Sequence, residues 1–150
     1  MSAPIRFFSR TAAYAELSNF APFGFELDGL YWPTVEHYFQ AQKFLGPDAS
    51  AHRERIRTAA SPKAAKTLGQ SRKFPIRPDW DDVREDVMLD ALRRKFARPE
   101  LRALLLATAR RPLIEASPYD RYWGEGRDGT GRNRLGALLM QLRAELRGGQ

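Results

Sequence analysis

From residue 33 onward the chain is punctuated at short intervals by helix-starting and helix-stopping residues, which confines it to a stack of short helices. Thr34 stands before a run that reaches about Phe44 and stops at Gly46-Pro47. Asp48 is placed to cap a second run to about Ala59, and Ser61-Pro62 opens a third that ends at Gly69. Arg77-Pro78-Asp79-Trp80 leads into the longest helix, capped by Asp79, with an apolar stripe of Trp80, Val83, Val87, Ala91, Leu92 and Phe96. Pro99 starts another helix through Leu106, and a leucine stripe from Leu135 to Leu146 marks the last. Strand signals are few. Residues 23–27 and 30–32 flank Asp28-Gly29, the pair that favours a two-residue type I′ hairpin. Residues 112–116 form a short extended piece before a loop over 117–131. The expected fold is α+β: a predominantly α-helical single domain over 1–150 with a small N-terminal antiparallel β element.

Composition narrows the chemistry. With no cysteine, thiolate metal sites, iron–sulfur clusters, disulfides and cysteine nucleophiles are excluded. Only His37 and His52 remain as imidazole ligands, so no metal or other cofactor is expected. No apolar run approaches the roughly 20 residues that span a bilayer, and the first residues lack the apolar core of a secretory signal. The expected setting is therefore cytoplasmic, away from membranes. The net charge of +7 is compatible with an anionic partner, either a phosphate ester or a nucleic acid. It is equally compatible with a compositional bias, because 20 of the 25 cationic residues are arginine.

Three segments carry polar and aromatic residues in patterns that suit a binding site. In the first, Glu36, Gln40 and Lys43 return to one face at about 100° per residue, and Glu36 and Lys43 are separated by about 10 Å of helix rise. That face is either a solvated stripe or a site where both ends reach one ligand. His37, beside an aromatic, suits a structural hydrogen bond. The second is the loop with Asp120, Trp123 and Gly124, where four glycines in eight residues precede a helix. Its backbone N–H groups either meet a phosphate at the helix N-terminus or simply line a surface loop. The third is Ser18-Asn19-Phe20 with Trp80 downstream. Aromatic faces beside amides suit a heterocyclic base, and Trp80 reads equally as core or as stacking platform.

Ser18-Asn19-Phe20, the block from Trp32 to Phe44, Asp79-Trp80, Lys95-Phe96, Tyr122-Trp123-Gly124 and Asn133-Arg134-Leu135-Gly136 stand in order. Together they resemble the NADAR superfamily (NAD- and ADP-ribose-associated), with the block from Glu36 to Phe44 the most specific part. The resemblance implies cleavage of an N-glycosidic bond between ribose and a base-like amine. In riboflavin-linked members the substrate is a phosphoribosylamino-pyrimidine and ribose 5-phosphate is released. In others ADP-ribose is removed from guanine in DNA or RNA. A non-catalytic ADP-ribose or nucleotide-binding module is the third alternative. The resemblance implies Glu36, Lys43 and Asp120 as catalytic residues, and Trp80 as a functional residue. Asn19, Trp80, Gln40, Trp123 and Gly124 are expected to bind substrate, with Trp80 as a stacking platform. Two routes are open: a Schiff base on Lys43, which requires a lowered lysine pKa, or a carboxylate pair of Glu36 and Asp120.

Overall fold

The computed structural model describes residues 3–11 and 13–149, whose backbone gathers into two compact units, Pro22–Lys95 and the pair Met1–Ala21 with Phe96–Gln150. The architecture is α+β and mostly helical, as the punctuation predicts.

In the unit Pro22–Lys95, strands β1 (Phe25–Leu27) and β2 (Leu30–Trp32) pair antiparallel, with Phe25 opposite Trp32. Asp28 and Gly29 have φ of 56° and 76°, the two positive values that a type I′ turn demands. The turn is tied down by its neighbours. Tyr38 donates its hydroxyl to Asp28 Oδ2 at 3.3 Å, and the Trp32 indole N–H reaches the Leu27 carbonyl at 3.0 Å.

Helix α1 (Val35–Ala41) starts where expected, with Thr34 Oγ1 accepting from the His37 N–H. All seven of its residues are buried. Around it pack α2 (Ser50–Arg57), α3 (Pro62–Gly69), α4 (Trp80–Lys95) and β2. It ends three residues before Phe44 because other partners take the carbonyls that follow. Arg77 N–H bonds the Lys43 carbonyl at 2.8 Å, and Arg53 Nη1 bonds those of Phe44 and Gly46 at 3.1 and 2.8 Å. Ser61 caps α3 as predicted, accepting from Ala64 N–H at 3.0 Å. Asp48 does not cap α2: it lies inside a 3-10 turn, Pro47–Ala49, and no side chain caps that helix. The Asp79 carboxylate is held instead by Arg77, through Nε at 2.6 Å and Nη2 at 2.9 Å.

In the other unit, β3 (Leu113–Glu115) pairs in parallel with the strand Ile5–Phe7 near the start of the chain. The sequence pattern gives no sign of the strand Ile5–Phe7, since three residues are too few to show a period. Helices α5 (Pro99–Ala107) and α6 (Arg134–Gly148) pack together, and α6 also lies against β3. Asn133 joins these elements. At φ 51° it turns the chain into α6, while its amide donates to the Leu113 carbonyl and accepts from Glu115 N–H, both at 2.9 Å. A Cβ on Gly136 would stand 2.0 Å from the Leu113 oxygen, so the joint closes only around glycine. The motif Asn133-Arg134-Leu135-Gly136 is thus the seam between strand and helix. Among the described residues no helix is long and apolar enough to cross a membrane.

Candidate active site

A helix enclosed on every side normally carries apolar residues throughout, because a buried polar group without partners is costly. Helix α1 instead buries Glu36, His37 and Gln40 at 7%, 1% and 4% exposure. The solvated-stripe reading of Glu36 and Gln40 is thereby overturned. His37 has a structural explanation. Its Nε2 lies 3.0 Å from the Ala59 carbonyl and its Nδ1 2.8 Å from Thr34 Oγ1, which suits a neutral ring with the proton on Nε2. Burial also lowers its pKa.

Glu36 and Gln40 form a different arrangement. One turn apart, they meet through Gln40 Nε2, which donates to Glu36 Oε2 at 2.7 Å. The carboxylate acceptor orients the amide, leaving Gln40 Oε1 buried with no hydrogen-bond partner among the described residues. That oxygen faces Gly69 of α3, where a Cβ would stand only 2.0 Å from it.

Lys43 lies beyond the end of α1, so it does not continue the helical face that spacing projects. It nevertheless joins the same cluster. Its Nζ donates to the Gly69 carbonyl at 3.4 Å, and the Glu36 charge acts on it directly. Burial pushes the Lys43 pKa below the ordinary lysine value, with Lys66 adding to that effect and Glu36 opposing it. A partly buried amine beside a buried carboxylate has the composition of a nucleophile with its proton-transfer partner.

Trp80, the first residue of α4, is 8% exposed and packs its ring against Phe39 at 5.0 Å between centroids, tilted by 55°. It is therefore a core ring of this unit. Neither Gly69 nor Lys66 stands out in the sequence as a site residue. Gly69 reads there as a helix stop, although within α3 its backbone needs no left-handed freedom.

The remaining expected site residues belong to the other unit. Asp120 Oδ1 accepts from the backbone N–H groups of Tyr122 and Trp123 at 2.9 and 2.7 Å, closing a tight turn. The half-buried Trp123 lies edge-on to Tyr122, whose ring also carries the Arg132 guanidinium at 4.9 Å. Gly124 is buried where a Cβ would stand 2.2 Å from Glu115 Oε2. The loop does not offer the α6 N-terminus to a phosphate in the way its glycines suggest. The carbonyls of Tyr122, Trp123 and Gly124 already accept from Arg134, Leu135 and Asn133 N–H. Asn19 is buried in the bend after the 3-10 turn Ala15–Leu17.

Residues 6–147, a span that takes in both units, match the family model described as the NADAR domain. The chain is 51% identical over 143 residues to N-glycosidase YbiA of Escherichia coli K12, covering 95% of this chain and 88% of that protein. It is 43% identical to the chloroplastic riboflavin biosynthesis protein PYRR of Zea mays, covering 96% of this chain and 25% of that protein. The NMR structure of E. coli YbiA is similar, with a TM-score of 0.88 and 49% identity, over 98% of this chain and 86% of that one.

Proposed function

This chain belongs to the NADAR domain family and is an N-glycosidase, and we propose that it hydrolyses phosphoribosylamino-pyrimidine intermediates of riboflavin biosynthesis to ribose 5-phosphate and the free aminopyrimidine. The observation that carries this reading is the cluster of buried Glu36 and Gln40 with the half-buried Lys43, in which partial burial lowers the lysine pKa. Its likeness to a riboflavin biosynthesis protein over 96% of the chain supports the substrate class.

In the proposed mechanism the nitrogen lone pair of the ribosylamine forms C1′=N as the bond from C1′ to the ring oxygen breaks. That oxygen takes the proton the nitrogen gives up, leaving an open-chain imine and a hydroxyl. The neutral Lys43 amine adds to C1′, giving a carbon that bears both nitrogens. On addition one lysine proton passes to the former imine nitrogen. Glu36 then takes the second lysine proton and delivers it to that nitrogen as the C1′–N bond breaks, releasing the free amine. A lysine imine remains. Water adds to it, the C1′–lysine bond breaks, and ribose 5-phosphate leaves as the aldehyde and closes. One water is consumed and Lys43 is regenerated. Asp120, in the other unit, organises Tyr122 and Trp123 by accepting their backbone N–H groups. Gln40 orients Glu36.

Borohydride added during turnover tests the covalent route. The expected result is a reduced phosphoribityl adduct on the peptide carrying Lys43, lost in Lys43→Ala. An enzyme that turns over at full rate in borohydride without an adduct would overturn the lysine route in favour of direct attack by water. A second reading, removal of ADP-ribose from guanine in nucleic acid, draws on the +7 charge. An extended basic track would give binding a steep linear dependence on log salt, whereas a small phosphate ester gives a shallow one.

A further inference from the structure

We infer that Gly69 is a positioning residue for the reaction, its bare Cα and its carbonyl together forming the seat that aligns Glu36 and Lys43. The inference rests on the proposed roles of those two residues. Gly69 is buried at the end of α3, and its φ lies outside the left-handed region, so backbone freedom does not explain a glycine there. Within a helix, alanine is the more stabilising choice by about 1 kcal/mol. Space does explain the glycine. A Cβ at this position would lie 2.0 Å from Gln40 Oε1 and 2.8 Å from both Gln40 Cβ and Cδ. The contact with Cβ, close to the α1 backbone, means that rotating the amide away would not relieve all of the crowding.

Both sides of the seat act on the chemistry. Above the bare Cα, the Gln40 amide is confined to the orientation that presents Nε2 to Glu36 at 2.7 Å. Oε1, which has no hydrogen-bond partner among the described residues, marks that confinement, since the amide gives up a bond at one end to keep the one to the carboxylate. At the same residue, the Gly69 carbonyl lies 3.4 Å from Lys43 Nζ. One residue of α3 therefore touches the amide that holds the carboxylate and the amine that attacks. A displacement of that residue moves both groups relative to each other.

The test combines Gly69→Ala, Gln40→Ala and the double variant, each assayed on a phosphoribosylamino-pyrimidine. The side-chain amide of Gln40 is followed in parallel by 1H–15N NMR. Expected in both single variants is a fall in kcat of about a hundredfold. KM should stay within about twofold, because the seat does not hold substrate. The double variant should be no slower than the slower single one, since both act through one contact. In Gly69→Ala the Gln40 amide protons should move towards the position of a free amide. Full kcat in Gln40→Ala would overturn the inference even if Gly69→Ala did not fold. So would a folded Gly69→Ala whose Gln40 amide resonances are unmoved. If wild-type protein released no ribose 5-phosphate, the proposed substrate would fall, and the amide resonances alone would decide whether Gly69 seats Gln40.

Discussion

At the scale of single residues, the account turns on what burial does to three polar side chains. Glu36→Gln removes the proton acceptor and Lys43→Ala the nucleophile. Each is expected to abolish turnover while melting within a few degrees of wild type, as followed by circular dichroism. Because only the neutral amine attacks, the single-turnover rate should rise with pH. Its midpoint should lie below the ordinary lysine value of 10.5, since burial lowers the Lys43 pKa. The same shift has a stability consequence. Between the lowered native pKa and that ordinary value, the unfolded chain holds a proton that the native chain has lost, so this group makes stability rise with pH there. Trp80→Ala should behave as a core deletion, with a loss of about 3–5 kcal/mol in denaturant unfolding. An unchanged unfolding midpoint would restore the stacking reading of that ring. The residue types at 36, 40 and 43 were legible in the sequence, as was the need for a lowered lysine pKa. Their burial was not, because spacing specifies a face and not what covers it.

At the scale of elements, local chemistry and tertiary competition divide the outcome. The hairpin was legible because Asp28-Gly29 supplies two left-handed residues, and α3 was legible because Ser61 and Pro62 act within one turn. Where a distant partner competes, the local signal failed. Arg77 captures the Asp79 carboxylate, Arg53 captures the carbonyls after α1, and the loop carbonyls fill the α6 N-terminus. The parallel pairing of Ile5–Phe7 with Leu113–Glu115 joins segments more than a hundred residues apart, beyond the reach of any local pattern. Asn133 gives this scale its prediction. Asn133→Ala removes two backbone-directed hydrogen bonds and places alanine at φ 51°. The expected loss is about 2–4 kcal/mol in unfolding free energy. Gly should recover only the conformational part, about 1 kcal/mol. Equal stability of all three proteins would show that the seam between β3 and α6 is not held by this side chain.

At the scale of the whole molecule, the order of motifs along the chain was more informative than any one of them. The glycine loop alone has several readings, and the net charge of +7 has two. The ordered set spans both units, and the NADAR match over residues 6–147 agrees with it. Charge then bears on which substrate is used rather than on the family. If the substrate is a single phosphate ester, raising salt from 50 to 200 mM should weaken binding only modestly. A polynucleotide engaging six or more phosphates would lose about a thousandfold or more over that range. The most direct measurement offers purified protein a phosphoribosylamino-pyrimidine in one reaction and an ADP-ribosylated guanine oligonucleotide in another, with products identified by mass spectrometry. The account predicts ribose 5-phosphate and free aminopyrimidine in the first and no release in the second; ADP-ribose from the oligonucleotide with an intact pyrimidine substrate would contradict it.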